Sequence, residues 1–333
     1  FMSANKAGPF FCYLSYNAPH SPFQVPDPYF DKFKAKGFDD TLATFYGMCE
    51  NIDDNVGRLL AHLDAEQFAQ NTIVLFLTDN GGTAGVKTYN AGMRGGKTSV
   101  HEGGTRVPLF VRWPSAKWQP HVVKPIVSHI DVYPTLLDLC GVRAPAGPRV
   151  DGVSLRPLLE QVDAADWPER TLFTHNPISE INKYPGAVRT QKHRLVREIK
   201  GPAGGSKAKA NDASASPWQL YDMENDPGQG HDIAGAHPDI VKDLEARYEA
   251  WFADISREEL RRFPLPVGHL EHNPVELHAP QAYFDPPLKF ANGPGFANDW
   301  LTGWTDASAK VWWEIEVTQA GDYEIEIAFG APP

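Results

Sequence analysis

The order of apolar and polar positions divides the chain into stretches of different character. From Pro9 to Tyr16 a short aromatic and aliphatic run follows Gly8 and reads as a buried strand. It ends in Asn17-Ala18-Pro19-His20-Ser21-Pro22, where two prolines stop regular structure. Leu42, Phe45, Cys49, Ile52, Val56, Leu59, Leu60 and Leu63 then recur at helical spacing, which predicts one long amphipathic helix from about Asp40 to Asp64. Ile73-Val74-Leu75-Phe76-Leu77 is continuously apolar, as expected of a parallel strand covered on both faces, and Thr78-Asp79-Asn80-Gly81-Gly82 follows at once. Strand, helix, strand and polar glycine-rich turn is the α/β pattern, in which ligands bind beyond the carboxyl ends of the strands. His20 and Asp79 both fall at such ends.

A glycine-rich stretch runs from Gly81 to Gly104, Val107 to Trp113 reads as another strand, and Ile130 to Leu139 as a helix with Asp131 as its N-cap and His129 as a packing residue. From about Arg170 the pattern changes to separate short strands, Leu172 to His175, Ala187 to Val196 and Trp218 to Tyr221, which predicts an antiparallel subdomain. Gly201 to Ser216, rich in Gly, Ala, Ser and Lys, reads as a flexible loop. Helical periodicity returns from Pro238 to Ile255, and a Pro-rich stretch follows from Phe263 to Pro287. In the tail, Val311 to Val317 and Tyr323 to Ile327 alternate strictly around Ala320-Gly321-Asp322, a hairpin signal. The predicted division is 1–165, an α/β core; 166–262, an antiparallel sheet with a helix; and 263–333, a Pro-rich linker with a β module.

Composition narrows the function classes. With 42% hydrophobic and 22% charged residues the chain is an ordinary folded one, and 333 residues are enough for more than one domain. The net charge of −11 argues against nucleic acid or an anionic membrane as partner, because both require a basic surface. No apolar run approaches the ~20 residues of a membrane span. Cys12, Cys49 and Cys140 form neither a Cys-x-x-Cys pair nor an even set, and read as small core residues. The chain opens at Phe1 without an initiator Met or signal segment, so a fragment is expected.

Several residues carry candidate chemistry. Asp79 and Asn80 are adjacent hard oxygen donors suited to Ca²⁺ or Mg²⁺, though Asp-Asn-Gly-Gly is equally a local turn. Arg94-Gly95-Gly96-Lys97 and His101-Glu102-Gly103-Gly104 place a guanidinium, an ammonium and an imidazole among glycines, where an anion could be held or a surface loop could simply pass. His20, between prolines, suits a general acid or a loop-padding residue. Trp300, Trp304, Trp312 and Trp313 suit either sugar stacking or a small β core, and the alternation favours the core.

Taken in order, Tyr13-Leu14-Ser15-Tyr16-Asn17-Ala18-Pro19-His20-Ser21-Pro22, Thr78-Asp79-Asn80-Gly81-Gly82, and Arg94-Gly95-Gly96-Lys97 through His101-Glu102-Gly103-Gly104-Thr105-Arg106-Val107-Pro108 resemble the type I, formylglycine-dependent sulfatase family of the alkaline-phosphatase-like superfamily. His129 to Leu137 and Leu220-Tyr221-Asp222 through Asn225-Asp226-Pro227 look like that family too, so the likeness extends over about residues 1 to 255. The resemblance implies a partial α/β/α sandwich of the alkaline-phosphatase type, followed by a smaller antiparallel α+β subdomain and a β-rich tail. It implies Asp79 and Asn80 as ligands of a Ca²⁺ (Mg²⁺ as the alternative), His20 as the acid that protonates the leaving oxygen, and Lys97, with Arg94 nearby, as sulfate-binding groups. The family nucleophile is a formylglycine made in a Cys-x-Pro-Ser-Arg segment, and no cysteine here begins one. The chain alone is therefore expected to be inactive, while its parent hydrolyses sulfate esters, with a sulfated carbohydrate as the expected substrate and the periplasm or exterior as its place. A phosphodiesterase or phosphonate monoester hydrolase of the same superfamily, and a non-catalytic carbohydrate-binding protein, are the alternatives.

Overall fold

The computed structural model describes residues 1–160, 167–176, 183–199, 216–257, 263–293 and 298–330. They fall into two compact units, one of Phe1–Asn176 and Lys183–Trp251 and the other of Phe252–Pro333.

In the first unit, prolines at the start of α1 (Asp27–Lys34) preset helical φ, and Asp39 caps α2 (Asp40–Ala65) by accepting from the Leu42 N–H at 2.9 Å. The two helices approach closely because Gly47 faces the Tyr29 backbone, where a Cβ would already be 3.1 Å away. Tyr29 donates to Asp54 at 2.7 Å, and Lys32 pairs with Glu50. Of the stripe that the periodicity predicts, Phe45 and Leu63 are buried and the other six residues half-buried, while Ala43 and Met48 are buried beside them.

Strand β1 (Val74–Leu77) pairs with β2 (Leu109–Arg112), between which lies the one-turn helix α3 (Glu102–Thr105). The pairing is antiparallel, Val74 opposite Arg112 and Leu77 opposite Leu109, and not parallel as expected. A continuous apolar run reports covered faces, but direction is set by how the chain returns, here through the glycine-rich loop. The strand expected over Pro9 to Tyr16 does not form: Phe11 is 73% and Tyr13 81% exposed, and no strand edge among the described residues takes up the backbone hydrogen bonds. The cysteines are not core residues either, since Cys12 and Cys140 are exposed and only Cys49 is half-buried.

A 3-10 turn (His129–Asp131) leads into α4 (Val132–Leu139), and α5 (Arg156–Glu160) follows. Asp131 stands at the N-cap position of α4, as expected, but its side chain caps no N–H of that helix and is a buried junction instead. Its carboxylate accepts from the backbone N–H groups of Ser128 (2.7 Å) and Val153 (2.9 Å), and from both terminal nitrogens of Arg170 at 2.7 and 2.8 Å. A bidentate, charge-assisted pair with every lone pair occupied is the arrangement that offsets burial of a carboxylate.

Strands β3 (Leu172–His175), β4 (Gly186–Arg189), β5 (His193–Arg197) and β6 (Gln219–Asp222) form an antiparallel sheet in sequence order, as expected. The stretch read as one strand from Ala187 to Val196 is a hairpin. Thr190 N–H donates to the His193 carbonyl at 2.9 Å and its Oγ1 accepts from His193 N–H at 3.0 Å, closing a tight turn over Gln191 and Lys192. Val188, Leu195 and Leu220 pack with Tyr184 and Trp218 against Leu244 and Tyr248 of α6 (Pro238–Ile255). At Gly186 a side chain would overlap the Tyr248 hydroxyl, so glycine is required for α6 to seat. Of the loop predicted over Gly201 to Ser216, only Ser216 lies within the described residues.

The second unit holds three short ribbons. β7 (Leu265–Val267) runs parallel to β12 (Ile315–Val317), β8 (Tyr283–Phe284) pairs antiparallel with β11 (Val311–Trp312), and β9 (Lys289–Phe290) antiparallel with β10 (Leu301–Thr302). The hairpin predicted in the tail is therefore absent: Ile315–Val317 takes its partner from the Pro-rich stretch, and Tyr323 to Ile327 is unpaired and exposed. Alternation signals extended backbone and leaves the partner open. Three of the four tryptophans do not fill a core, with Trp300 60%, Trp304 62% and Trp312 43% exposed, whereas Trp313 is half-buried and its Nε1 donates to the His278 carbonyl at 3.0 Å.

Candidate active site

The site residues of the first unit are placed by backbone packed on backbone. Asp79 and Asn80 follow β1 directly, and Gly81 N–H then donates to the Gly104 carbonyl at 3.0 Å. A Cβ on Gly81 would overlap the Gly103 carbonyl oxygen and lie 2.8 Å from its carbon. Lys97 N–H donates to the Gly82 carbonyl at 2.9 Å, and Gly103 N–H to the Arg94 carbonyl at 2.8 Å. Gly96, Gly103 and Gly104 each face a carbonyl oxygen that a side chain would displace, and Gly95 has φ +83°. The glycines noted in the sequence thus form a cradle in which two loops lie main chain to main chain, bringing the backbone of Lys97 against Gly82, two residues after Asn80.

The side chains in this cradle are uncommitted. Asp79 is exposed and its Oδ1 accepts only the adjacent Asn80 N–H, at 2.9 Å. The Asn80 amide and the Lys97 ammonium make no hydrogen bond or ion pair among the described residues. Two hard oxygens at a strand end fit part of a Ca²⁺ or Mg²⁺ site, and no third His, Cys, Asp or Glu joins them among the described residues.

His20 is exposed, with Nδ1 donating to the Ser21 carbonyl at 2.8 Å, which fixes the ring and leaves Nε2 outward. It touches none of the cradle side chains. Its loop shares a support with them, however: Phe23 packs edge-on against Phe45 of α2 at 5.8 Å, and Gly85 closes on the same ring, 3.0 Å from where its Cβ would be.

Arg94 and His101, expected to help hold an anion, are also engaged by partners distant in the sequence. Arg94 donates to the Tyr221 hydroxyl at 2.8 Å and the Gln229 carbonyl at 3.4 Å, with Glu198 at 4.0 Å. His101 is buried, and burial first, then the Arg94 guanidinium, pushes its pKa down to about 4 against the opposing pull of Glu198. Glu198 Oε1 lies 3.4 Å from Nε2, an ion pair only if the ring were protonated. Beside it Glu102 pairs with Arg194 at 2.7 Å, and Arg194 also donates to the Val100 carbonyl and to Thr105. Burial pulls the Arg194 pKa down to about 10, partly offset by Glu102. This buried polar cluster clamps the cradle to β5 and β6.

One residue next to the site reads in the sequence mainly as packing, with a functional role as the alternative. His129 Nε2 donates to the Thr78 carbonyl at 2.8 Å, so the turn before α4 is hydrogen-bonded to the residue preceding Asp79. Its sequence signals were the His-x-Asp spacing at a helix start and the family-like segment from His129 to Leu137.

Comparison with known proteins places these features in a family. The sulfatase family model matches residues 1–142, and the C-terminal model of N-sulphoglucosamine sulphohydrolase matches 96–253. Steryl-sulfatase of Mus musculus is 32% identical over 305 residues, covering 82% of this chain and 46% of its own length. N-acetylgalactosamine-6-O-sulfatase of Bacteroides thetaiotaomicron is 28% identical over 75% of this chain and 48% of its own length. The crystal structure of Ps i-CgsB in complex with k-i-k-neocarrahexaose aligns with TM-score 0.63 and 29% identity, over 76% of this chain and 52% of that one. The chain thus spans about half the length of the relatives it matches. Its mixed α/β architecture with antiparallel sheets is a partial alkaline-phosphatase-like fold. With both family models meeting on the glycine cradle, the chain belongs to the sulfatase family.

Proposed function

We propose that this chain supplies part of the active site of a sulfatase that hydrolyses sulfate esters of a carbohydrate to alcohol and inorganic sulfate. The observation that carries the reading is the convergence of Asp79, Asn80 and Lys97 on one cradle, with side chains that no neighbour occupies. Asp79 and Asn80 would hold a divalent cation through hard oxygens, Ca²⁺ with Mg²⁺ as the alternative; when bound, such a cation supplies Lewis-acid polarisation of a sulfate oxygen. Lys97 pairs its ammonium with the remaining sulfate oxygens through charge-assisted hydrogen bonds. His20, its ring oriented by the Ser21 carbonyl, delivers a proton from Nε2 to the departing alkoxide. Arg94 anchors the cradle to Tyr221 and, with its side chain 40% exposed, offers its remaining N–H groups to a sulfate oxygen. The nucleophile is a formylglycine outside these 333 residues, which contain no Cys-x-Pro-Ser-Arg segment.

The sugar reading draws on the named substrates of relatives, an N-acetylgalactosamine-6-O-sulfatase and a protein crystallised with a neocarrahexaose. Action outside the cytoplasm suits such substrates, and no helix among the described residues is long and apolar enough to cross a membrane. The test is sulfate release by the gene's whole product, matured to formylglycine, from a panel of sulfated oligosaccharides. Release that falls at least ~100-fold in Asp79→Ala and Lys97→Ala supports the reading. Absence of release, with turnover of a phosphonate ester instead, overturns it.

A further inference from the structure

The second unit carries a surface that the active-site chemistry does not use. In β10, Leu301 stands opposite Phe290 and Thr302 opposite Lys289. Successive residues of a strand face opposite sides, so Leu301 and Phe290 share one face while Thr302 and Lys289 share the other. The first face is internal: Phe290 meets Phe284 of β8 edge-on at 5.1 Å, and the neighbouring Leu288 is buried. Trp300, two residues before Thr302, therefore belongs to the outer face with Lys289, and its 60% exposure agrees. Gly303, with φ +80° and room for no Cβ beside the Pro287 carbonyl 3.1 Å away, ends the strand, and Trp304 follows in that turn, 62% exposed. Trp300 thus shares the face of Lys289, and the exposed Trp304 follows just past the end of the same strand.

The surroundings are built to hold this arrangement. Asp299 is buried and accepts from the Asn292 and Trp300 backbone N–H groups at 3.0 and 2.9 Å, fixing the backbone that presents Trp300. Asp306 is taken up by the Ser308 N–H and hydroxyl. Lys289 makes no ion pair among the described residues. Two indole faces and a lone cation in a chain of net charge −11 do not suit a general anion surface. They match a ligand that offers flat C–H faces and a strong anion at once. We propose that the outer face of the β9–β10 ribbon is a glycan-docking site, with Trp300 and Trp304 stacking on pyranose rings and Lys289 pairing with a sulfate substituent. The role proposed is binding alone, and its ligand class rests on the sulfated-carbohydrate reading above.

The test is affinity electrophoresis of the gene's whole product, in a Lys97→Ala background that weakens active-site binding, through gels containing κ-carrageenan, chondroitin sulfate or unsulfated agarose. Retardation by a sulfated glycan is expected, with at least a tenfold loss of affinity in Trp300→Ala/Trp304→Ala, a smaller loss in Lys289→Gln, and unchanged thermal melting. No retardation in either sulfated gel, or wild-type retardation of the double variant, overturns the proposal. Should the double variant fold poorly, Lys289→Gln decides: faster migration than the unaltered protein in the sulfated gels, with equal migration in unsulfated agarose, supports the site, and undiminished retardation sinks it. Trp-dependent retardation by a protein that releases no sulfate leaves the docking site standing and removes only the sulfatase reading.

Discussion

Gly81 lies against Gly103 so closely that no side chain fits between them, and through this contact the end of β1 is held to the loop that carries Lys97. Substitution Gly81→Ala forces two backbones apart. A loss of about 2–4 kcal/mol in unfolding free energy is expected, measurable by chemical denaturation, because neither carbonyl has a side chain that could yield instead. Gly57, where a Cβ meets nothing, is the control site and should tolerate alanine.

Asp79 and Asn80 make no side-chain contact beyond the Asn80 N–H, so they are not part of what stabilises the fold. Asp79→Ala in the gene's whole product should leave the melting temperature in chelator unchanged and abolish the rise that Ca²⁺ produces in the unaltered protein, since a ligand stabilises only a state that binds it. An equal Ca²⁺ shift in both would remove Asp79 from the metal site.

The buried pair of Glu102 and Arg194 gives a sharper stability test. Arg194→Met leaves a buried carboxylate and should cost about 3–5 kcal/mol, whereas Glu102→Leu with Arg194→Met together should recover much of that. Additive losses in the double variant would mean that the arginine acts mainly through the Val100 carbonyl and Thr105.

His101 makes stability depend on pH in a defined window. Its pKa in the folded chain is about 4, against an ordinary 6.5 in the unfolded one. Above pH 6.5 neither state binds the proton and the contribution is whole. Between 6.5 and about 4 only the unfolded chain protonates, so stability falls, by roughly 2–3 kcal/mol in total. Denaturation midpoints followed over that range should drop less steeply in His101→Gln than in the unaltered protein; parallel curves would show that the ring titrates normally.

What could be read in the sequence was whatever is encoded locally. The long helix from Asp40 is written in a repeat that survives many turns, and the Asp79-Asn80 pair, Lys97 and His20 stand in motifs whose order is itself a signal. Arg94 looked like an anion ligand because it neighbours Lys97, yet its partners Tyr221 and Gln229 lie 127 and 135 positions away and nothing near Arg94 announces them. The same blindness to distant partners explains the strands. Ile315 to Val317 alternates as a hairpin arm should but pairs with Leu265 to Val267, and Pro9 to Tyr16 has the composition of a strand with no edge beside it. Asp131 was legible as the start of a helix, whereas its engagement by Arg170 and Val153 required the tertiary fold.

Because the cradle is fastened through peptide groups, the identities of its exposed side chains are free to change. Thr83, Lys87 and Tyr89 project from the loop without holding it, while Asp79, Asn80 and Lys97 are set by carbonyls and amides that every residue possesses. Substitution at those outward positions leaves intact the main-chain contacts that hold the two loops together. Such a loop separates heritable variation in its exposed surface from variation in backbone position, and gives laboratory diversification an obvious set of codons to randomise.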